Sequence, residues 1–238
     1  MGILGLEHSI NYKGVVMFFV IDFETSDLMP WIGNPLTLGI VPVNEAGEIL
    51  DQDLYVQFPT WHLMPDWDMS ANLSDTESWW NQKRLSDEPI EVRAWEAAWL
   101  RDSEDEDSSG QAIAKITDFL QVIEPDKNKR FLCANPIAFD KMWMDYIYTT
   151  MTDSPVPYHY RNLCLRSMQY GLDYGTNPEF GNARDHESGL PHHALYDARA
   201  EAIDLAGHMN RGRIVQEYLS DTRYLLDPRW HTNIESDS

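Results

Sequence analysis

Basic residues are scarce in this chain. Eighteen Lys and Arg stand against 39 Asp and Glu in 238 residues, a net charge of -21. A protein of that sign releases no large counterion shell from a duplex, so a tight electrostatic grip on double-stranded nucleic acid is not expected. An enzyme that reaches a single strand end through cations is not excluded. Cysteine is also rare. Cys133 and Cys164 both fall in apolar stretches, so they read as reduced, buried thiols and not as a disulfide framework. No apolar run approaches the roughly 20 residues of a membrane helix. The opening residues lack the basic start and long apolar core of a signal peptide, and Leu6 stands where N-myristoylation wants Ser or Thr. The expectation is a cytoplasmic protein with no membrane attachment. There is no internal repeat and no low-complexity tract, and nothing calls for an organic cofactor. Oligomeric state leaves no trace in the sequence.

What is present suffices for a real core: 43% of residues are hydrophobic and 12% aromatic. The stretch from Val15 through Phe23 to Thr25 is apolar, β-branched and aromatic, too short to span a membrane, and reads as a strand buried on both faces. Two carboxylates end it. Asp22 and Glu24 are two apart, so on a strand they share a side. Two acids there repel each other and desolvate badly, and a divalent cation would offset both costs. Asp75/Glu77, Asp102/Glu104 and Asp185/Glu187 repeat the spacing, but in polar surroundings. Residues 1–14 read as an N-terminal extension or a short edge element, with one domain over residues 15–238.

Strands are expected over Leu36–Val43 and Ile49–Phe58, turned at Asn44–Gly47, giving an antiparallel meander. Ser74, three residues before Glu77, has the capping-box spacing ahead of a short helix. Helices are expected over 86–100, over Ala112–Ile123 with Pro125 behind it, and from about Ala138 to Thr150. Short strands fit Arg130–Ala134 and Asn162–Leu165, with a short helix near Ser167–Tyr170. Residues 102–110 and 173–191 read as loops. A long helix is expected from Pro191, fading by Gly212, then a last one from Ile214 to Leu225 and a frayed tail. Strands first, then alternating helix and strand, make an α/β fold with a central mixed sheet flanked by helices.

Two further acids lie at matching places. Asp140 follows the strand ending at Ala134, and ligands of open α/β sheets gather at the carboxyl ends of strands, where Asp22 and Glu24 also sit. By itself Asp140 could merely favour its helix N-terminus. Asp197 falls one turn into the late helix, and His192 stands at that helix's lip. Five helical residues turn by about 140°, so the two would not share a helix face, but a His in the entry loop could reach over a site that Asp197 lines. His193 and His186 are the bland counterparts, helix-start and loop histidines without a partner acid.

These residues carry a resemblance. Asp-x-Glu-Thr on a first strand, Asn-x-x-x-Phe-Asp in mid-chain and His-x-Ala-x-x-Asp on a late helix resemble the DnaQ-like, or DEDDh, 3′–5′ exonucleases, and the segment Thr76–Trp80 is similar to one in phage exonuclease A and related 3′–5′ exoribonucleases. The resemblance implies an RNase H-like fold and hydrolysis of phosphodiesters from a 3′ end with two divalent cations, Mg²⁺ or Mn²⁺. It implies Asp22, Glu24, Asp140 and Asp197 as ligands, Asp22 bridging both ions, and His192 as general base, since an ordinary imidazole titrates near neutral pH. Thr25 is implied to meet the terminal nucleotide through its backbone. Trp80, Trp79 and Phe139 could stack on bases, with at least one tryptophan expected in the core instead. One departure stands out: Pro136 replaces the family's usual Gly or Asn, removing an N–H beside the site.

The expected partner is thus a single-stranded 3′ end, with DNA favoured over RNA and an exoribonuclease as the near alternative. If phage-encoded, the protein would act in the host cytoplasm. A reading from another class is an acidic, non-enzymatic mimic of nucleic acid. It explains the charge, but not four acids and a histidine in family order.

Overall fold

The long apolar run becomes β1 (Met17–Thr25), the middle strand of a five-stranded sheet. The computed structural model describes residues 16–59, 75–100, 108–152, 154–173 and 190–221. The other strands are β2 (Pro35–Asn44), β3 (Leu54–Gln57), β4 (Arg130–Ala134) and β5 (Asn162–Cys164). Their order is β3-β2-β1-β4-β5. The first three form an antiparallel meander, while β4 runs parallel to both β1 and β5. This is the expected mixed sheet. At the first turn Gly47 takes a φ of 78°, and the Asn44 side chain accepts from the N–H groups of Ala46 and Glu48.

Helices cover both faces. They are α1 (Asp75–Arg84), α2 (Pro89–Trp99), α3 (Ser109–Ile123), α4 (Ile137–Tyr146), α5 (Leu165–Asp173) and α6 (Ala194–Asp221). Period-2 alternation divides β1 between two cores. Phe19, Ile21 and Phe23 pack with Ile113, Ile116 and Leu120 of α3 and with Trp143 and Met144 of α4. Val20 packs with Ala198, Ala202 and Leu205 of α6. Asp22 and Glu24 share the parity of Val20 and so belong to the α6 side. A third cluster joins Leu36 to Trp80, Ala98 and Trp99, seating α1 and α2 against the start of β2.

Several boundaries differ from expectation for identifiable reasons. Helix α3 starts at Ser109, three residues early, because Ser108 and Gln111 form a reciprocal capping box. Strand β3 is shorter, since Ile49 makes only an isolated bridge to Val43. The helix after β4 ends as a π-turn over Ile147–Met151, where the Thr152 hydroxyl bonds the carbonyls of Ile147 and Tyr148. Helix α6 starts at Ala194, not Pro191, and runs through Gly212 without a break. One mid-helix Gly costs only about 1 kcal/mol. The Ser74 cap, residues 1–14, His186, the 102–107 and 174–189 loops and the tail beyond Asp221 lie outside the described residues.

Candidate active site

The site grows from a gap in the sheet. Strand β4 pairs with β1 only from Met17 to Val20. Beyond that point no strand among the described residues pairs with the β4-side edge of β1, and a bare N–H there would go unsatisfied. Helix α4 fills the gap. Its first-turn Asp140, only 3% exposed, accepts the Phe23 N–H on Oδ1 at 2.9 Å. A bond made for backbone reasons thereby brings Asp140 to the end of β1 that carries Asp22 and Glu24.

Helix α6 closes the other side. Asp22 pairs in register with Gly39 of β2. A β-carbon on Gly39 would come within 2.5 Å of Leu195 Cα and overlap the Ala194 carbonyl. The missing side chain lets the first turn of α6 lie directly on the sheet, and the fully buried Ala194, Ala198 and Ala202 continue that close approach. The same turn is tied sideways to β3. Arg199 is paired with Asp53, and the His193 ring stacks on Tyr55 at 4.5 Å and leans on Tyr196 at 4.4 Å. The His193 carbonyl accepts the N–H groups of Tyr196 and Asp197, and burial pushes its imidazole pKa down.

His192 stands just outside the helix with a φ of 58°. That left-handed conformation costs a residue with a side chain about 1 kcal/mol or more, and such strain collects at functional sites. The ring meets Trp79 of α1 edge-on, centroids 4.8 Å apart. As a result, potential ligand atoms of Glu24, His192 and Asp197 all lie within 4.8 Å of one another.

The electrostatics follow from this crowding. Burial first, then the charges of Glu201, Asp140, Glu24 and Asp197, hold the Asp22 carboxyl well above the ordinary carboxylate range. All four acids named from the sequence therefore meet at one end of β1. Glu201 is a fifth that sequence reasoning missed. It is 1% exposed, one turn after Asp197 on the buried face of α6. The signal was available: an acid four residues after Asp197, beside the Ala-rich stripe that faces the sheet. The donor set suits hard divalent cations, being carboxylate oxygen with one imidazole. Asp22, Glu24, Asp140 and Asp197 would hold such ions, and the repulsion among them is what a cation would relieve.

A cavity of about 310 Å³ opens beside the acids, lined by Glu24, Thr25, Leu28, Trp79, Trp80 and Phe139 among others. Thr25 is buried, and its carbonyl accepts the Trp80 indole N–H at 2.9 Å. Trp80 is 1% exposed, so it supports the cavity wall by fixing Thr25, and little of its face remains for a base. Trp79 and Phe139 keep partial exposure. Pro136 immediately precedes α4.

A five-stranded mixed sheet with helices on both faces, acids at the end of the central strand and a histidine ahead of the last helix define a DnaQ-like exonuclease domain of the RNase H-like fold. Solved structures agree on the fold. An E. coli exonuclease I complex with a dT13 oligonucleotide matches at a TM-score of 0.53 and 16% identity, over 87% of this chain and 44% of that one. The nuclease domain of 3′hExo, a DEDDh family member bound to rAMP, matches at 0.54 and 15%, over 84% and 94%. The chain thus spans under half the length of exonuclease I. A comparison with curated proteins finds no match. Residues 17–206 match the model of the Rv2179c-like 3′-5′ exoribonuclease domain, and the chain belongs to that family. Among the described residues no helix is long and apolar enough to cross a membrane.

Proposed function

We propose that this protein removes nucleotides stepwise from the 3′ end of a single strand and releases nucleoside 5′-monophosphates. One observation carries the reading. Glu24 from the first strand and His192 and Asp197 from the last helix's entry, remote in sequence, place ligand atoms within 4.8 Å of one another beside an open cavity. Asp22, Glu24, Asp140 and Asp197 would hold two divalent cations, Mg²⁺ or Mn²⁺. Bound there, the ions would supply Lewis acidity to the scissile phosphate and make a nearby water more acidic.

The chain's own groups do the rest. His192 takes the proton of the attacking water on a ring nitrogen as the new P–O bond forms and the bond to the 3′ oxygen of the shortened strand breaks, that oxygen taking a proton from solvent to become the new 3′ hydroxyl. Trp79 and the left-handed backbone hold that ring over the acids. Thr25, fixed by Trp80, presents its backbone to the terminal nucleotide, and Phe139 flanks the base.

The polymer is the finer question. The sequence resemblance favours DNA, whereas the matched family is described as exoribonuclease and the 3′hExo nuclease domain was captured with rAMP. Action in the cytoplasm, the host's if phage-encoded, belongs to the same proposal. The test uses matched DNA and RNA decamers labelled at either end, with Mg²⁺ and then with EDTA. Mononucleotides should leave the 3′ end only, and EDTA should stop them. Release from the 5′ end, or release that survives EDTA, would overturn the assignment.

A further inference from the structure

The loop after β1 is apolar where a loop would ordinarily be polar. Leu28 is 57% exposed, Met29 40%, Trp31 68% and Ile32 66%. Four large apolar side chains in five positions form a patch that solvent alone does not favour. The loop is also held in shape. Ser26 and Asn34 close its neck through two hydrogen bonds of 3.0 and 2.9 Å. The N–H groups of Ile32 and Gly33 both reach the Met29 carbonyl, and the Thr25 hydroxyl donates to the Asp27 carbonyl. Gly33 lies so close to Asp27 that a β-carbon there would stand 2.5 Å from the Asp27 Cβ. The apolar tip is therefore presented on a rigid neck.

The loop that carries this tip starts at the cavity wall. Leu28 lines the cavity together with Glu24 and Thr25, and Trp31 and Ile32 follow it within the same closed loop. Meanwhile three cations near the site, among the described residues, are already paired with acids. Lys83 is 2.6 Å from Glu91, Lys141 is 2.5 Å from Asp145, and Arg199 is paired with Asp53. With a net charge of -21 as well, the chain has little positive charge to offer a string of phosphates.

We propose that Trp31 and Ile32 form a platform for the bases just upstream of the 3′-terminal nucleotide, so that the strand is held by its base faces and not by its phosphates. This rests on the exonuclease reading above. The occupant is a single strand, because the faces of bases stacked in a duplex are not free to meet an indole. Base–aromatic stacking tolerates any sequence and is strong enough to stand in for the missing charge.

The test compares Trp31→Ala, Trp31→Phe and the wild-type chain on two substrates in Mg²⁺. One is the oligothymidylate dT10; the other is the same decamer with abasic sites at the second and third positions from the 3′ end. The initial rate of the first release is read in each case. Trp31→Ala should raise KM for dT10 by about tenfold with kcat within twofold, and Trp31→Phe should restore most of the loss. On the abasic decamer, all three should share one raised KM. If Trp31→Ala matches the wild type on dT10, or raises KM equally on both substrates, the platform is refuted while the exonuclease reading stands. If only the matched RNA decamer U10 is cut, the same comparison is read on U10 and its abasic counterpart; a wild-type protein that releases nothing from dT10 or U10 refutes both.

Discussion

Replacing Asp197 by Asn should make the metal-free protein more stable and the metal-loaded protein relatively less so. The facing oxygens of Glu24 and Asp197 lie at most 4.8 Å apart. Two unit charges at that distance repel by about 3.5 kcal/mol at an effective dielectric constant near 20. Glu24 is partly exposed, and halving the figure for solvent leaves about 1.5–2 kcal/mol. Asn also forfeits the attraction between Asp197 and the N-terminus of α6, about 0.5–1 kcal/mol. Repulsion wins, so the variant gains about 1 kcal/mol, or roughly 2–4 °C in Tm for a chain of this length. The melts are run at pH 8, where an ordinary imidazole is neutral, first in EDTA and then in millimolar Mn²⁺. A cation at one hundred times its Kd stabilises the wild type by about 2.7 kcal/mol. The variant, short of one ligand, gains less, and the order of the two Tm values reverses. A variant that melts below the wild type in EDTA would refute the repulsion argument. An equal gain from Mn²⁺ in both proteins would refute Asp197 as a ligand.

Three other outcomes follow from the same geometry. His192→Ala should lower kcat by about 100-fold or more and flatten the acid limb of the pH–rate profile, whereas the same result from His193→Ala would move the base by one residue. Gly39→Ala should lift the first turn of α6 off the sheet. A shift of about 1 Å there should cost kcat roughly 10- to 100-fold with KM changed only a few-fold, and steady-state kinetics beside a melting curve would show it. In EDTA, Asp22→Asn should gain stability over the wild type as pH rises from 4 to 8. The folded Asp22 carboxyl titrates above the unfolded one, so the fold keeps a proton that the unfolded chain gives up, and wild-type stability falls as pH climbs through the raised value. Parallel Tm profiles for the two proteins would contradict this.

The sheet was legible where local pattern and tertiary need coincide. The β-branched run ahead of Asp22 could serve only as a buried strand, and Arg130–Ala134 was placed to the residue. The acids and His192 stood out as candidates through their motifs, and the fold brings Glu24, His192 and Asp197 side by side. What stayed hidden depended on partners distant in sequence. Nothing local says that β4 stops short of Phe23 and leaves Asp140 to satisfy an N–H, or that Gly39 is small because a helix lies on it. The break expected at Gly212 reflected propensity alone, which a long helix overrides. The π-turn at Ile147–Met151 rests on side-chain bonds that no periodicity reveals. Trp80 looked like a stacking residue because aromatic character is visible in sequence and burial is not.

The sheet order carries a consequence for amide hydrogen exchange. Asp22 and Glu24 sit on the central strand, paired with β2 and held through the Phe23 N–H to Asp140 where β4 stops, while the tryptophans of the cavity wall belong to α1, which packs with α2 in a small cluster that meets the sheet at Leu36 of β2. Amides of β1 should exchange only on global opening, and those of α1 far sooner. Floor and wall then belong to different cooperative units. Protection would then be lost from the cavity wall before it is lost from the strand that carries the acids.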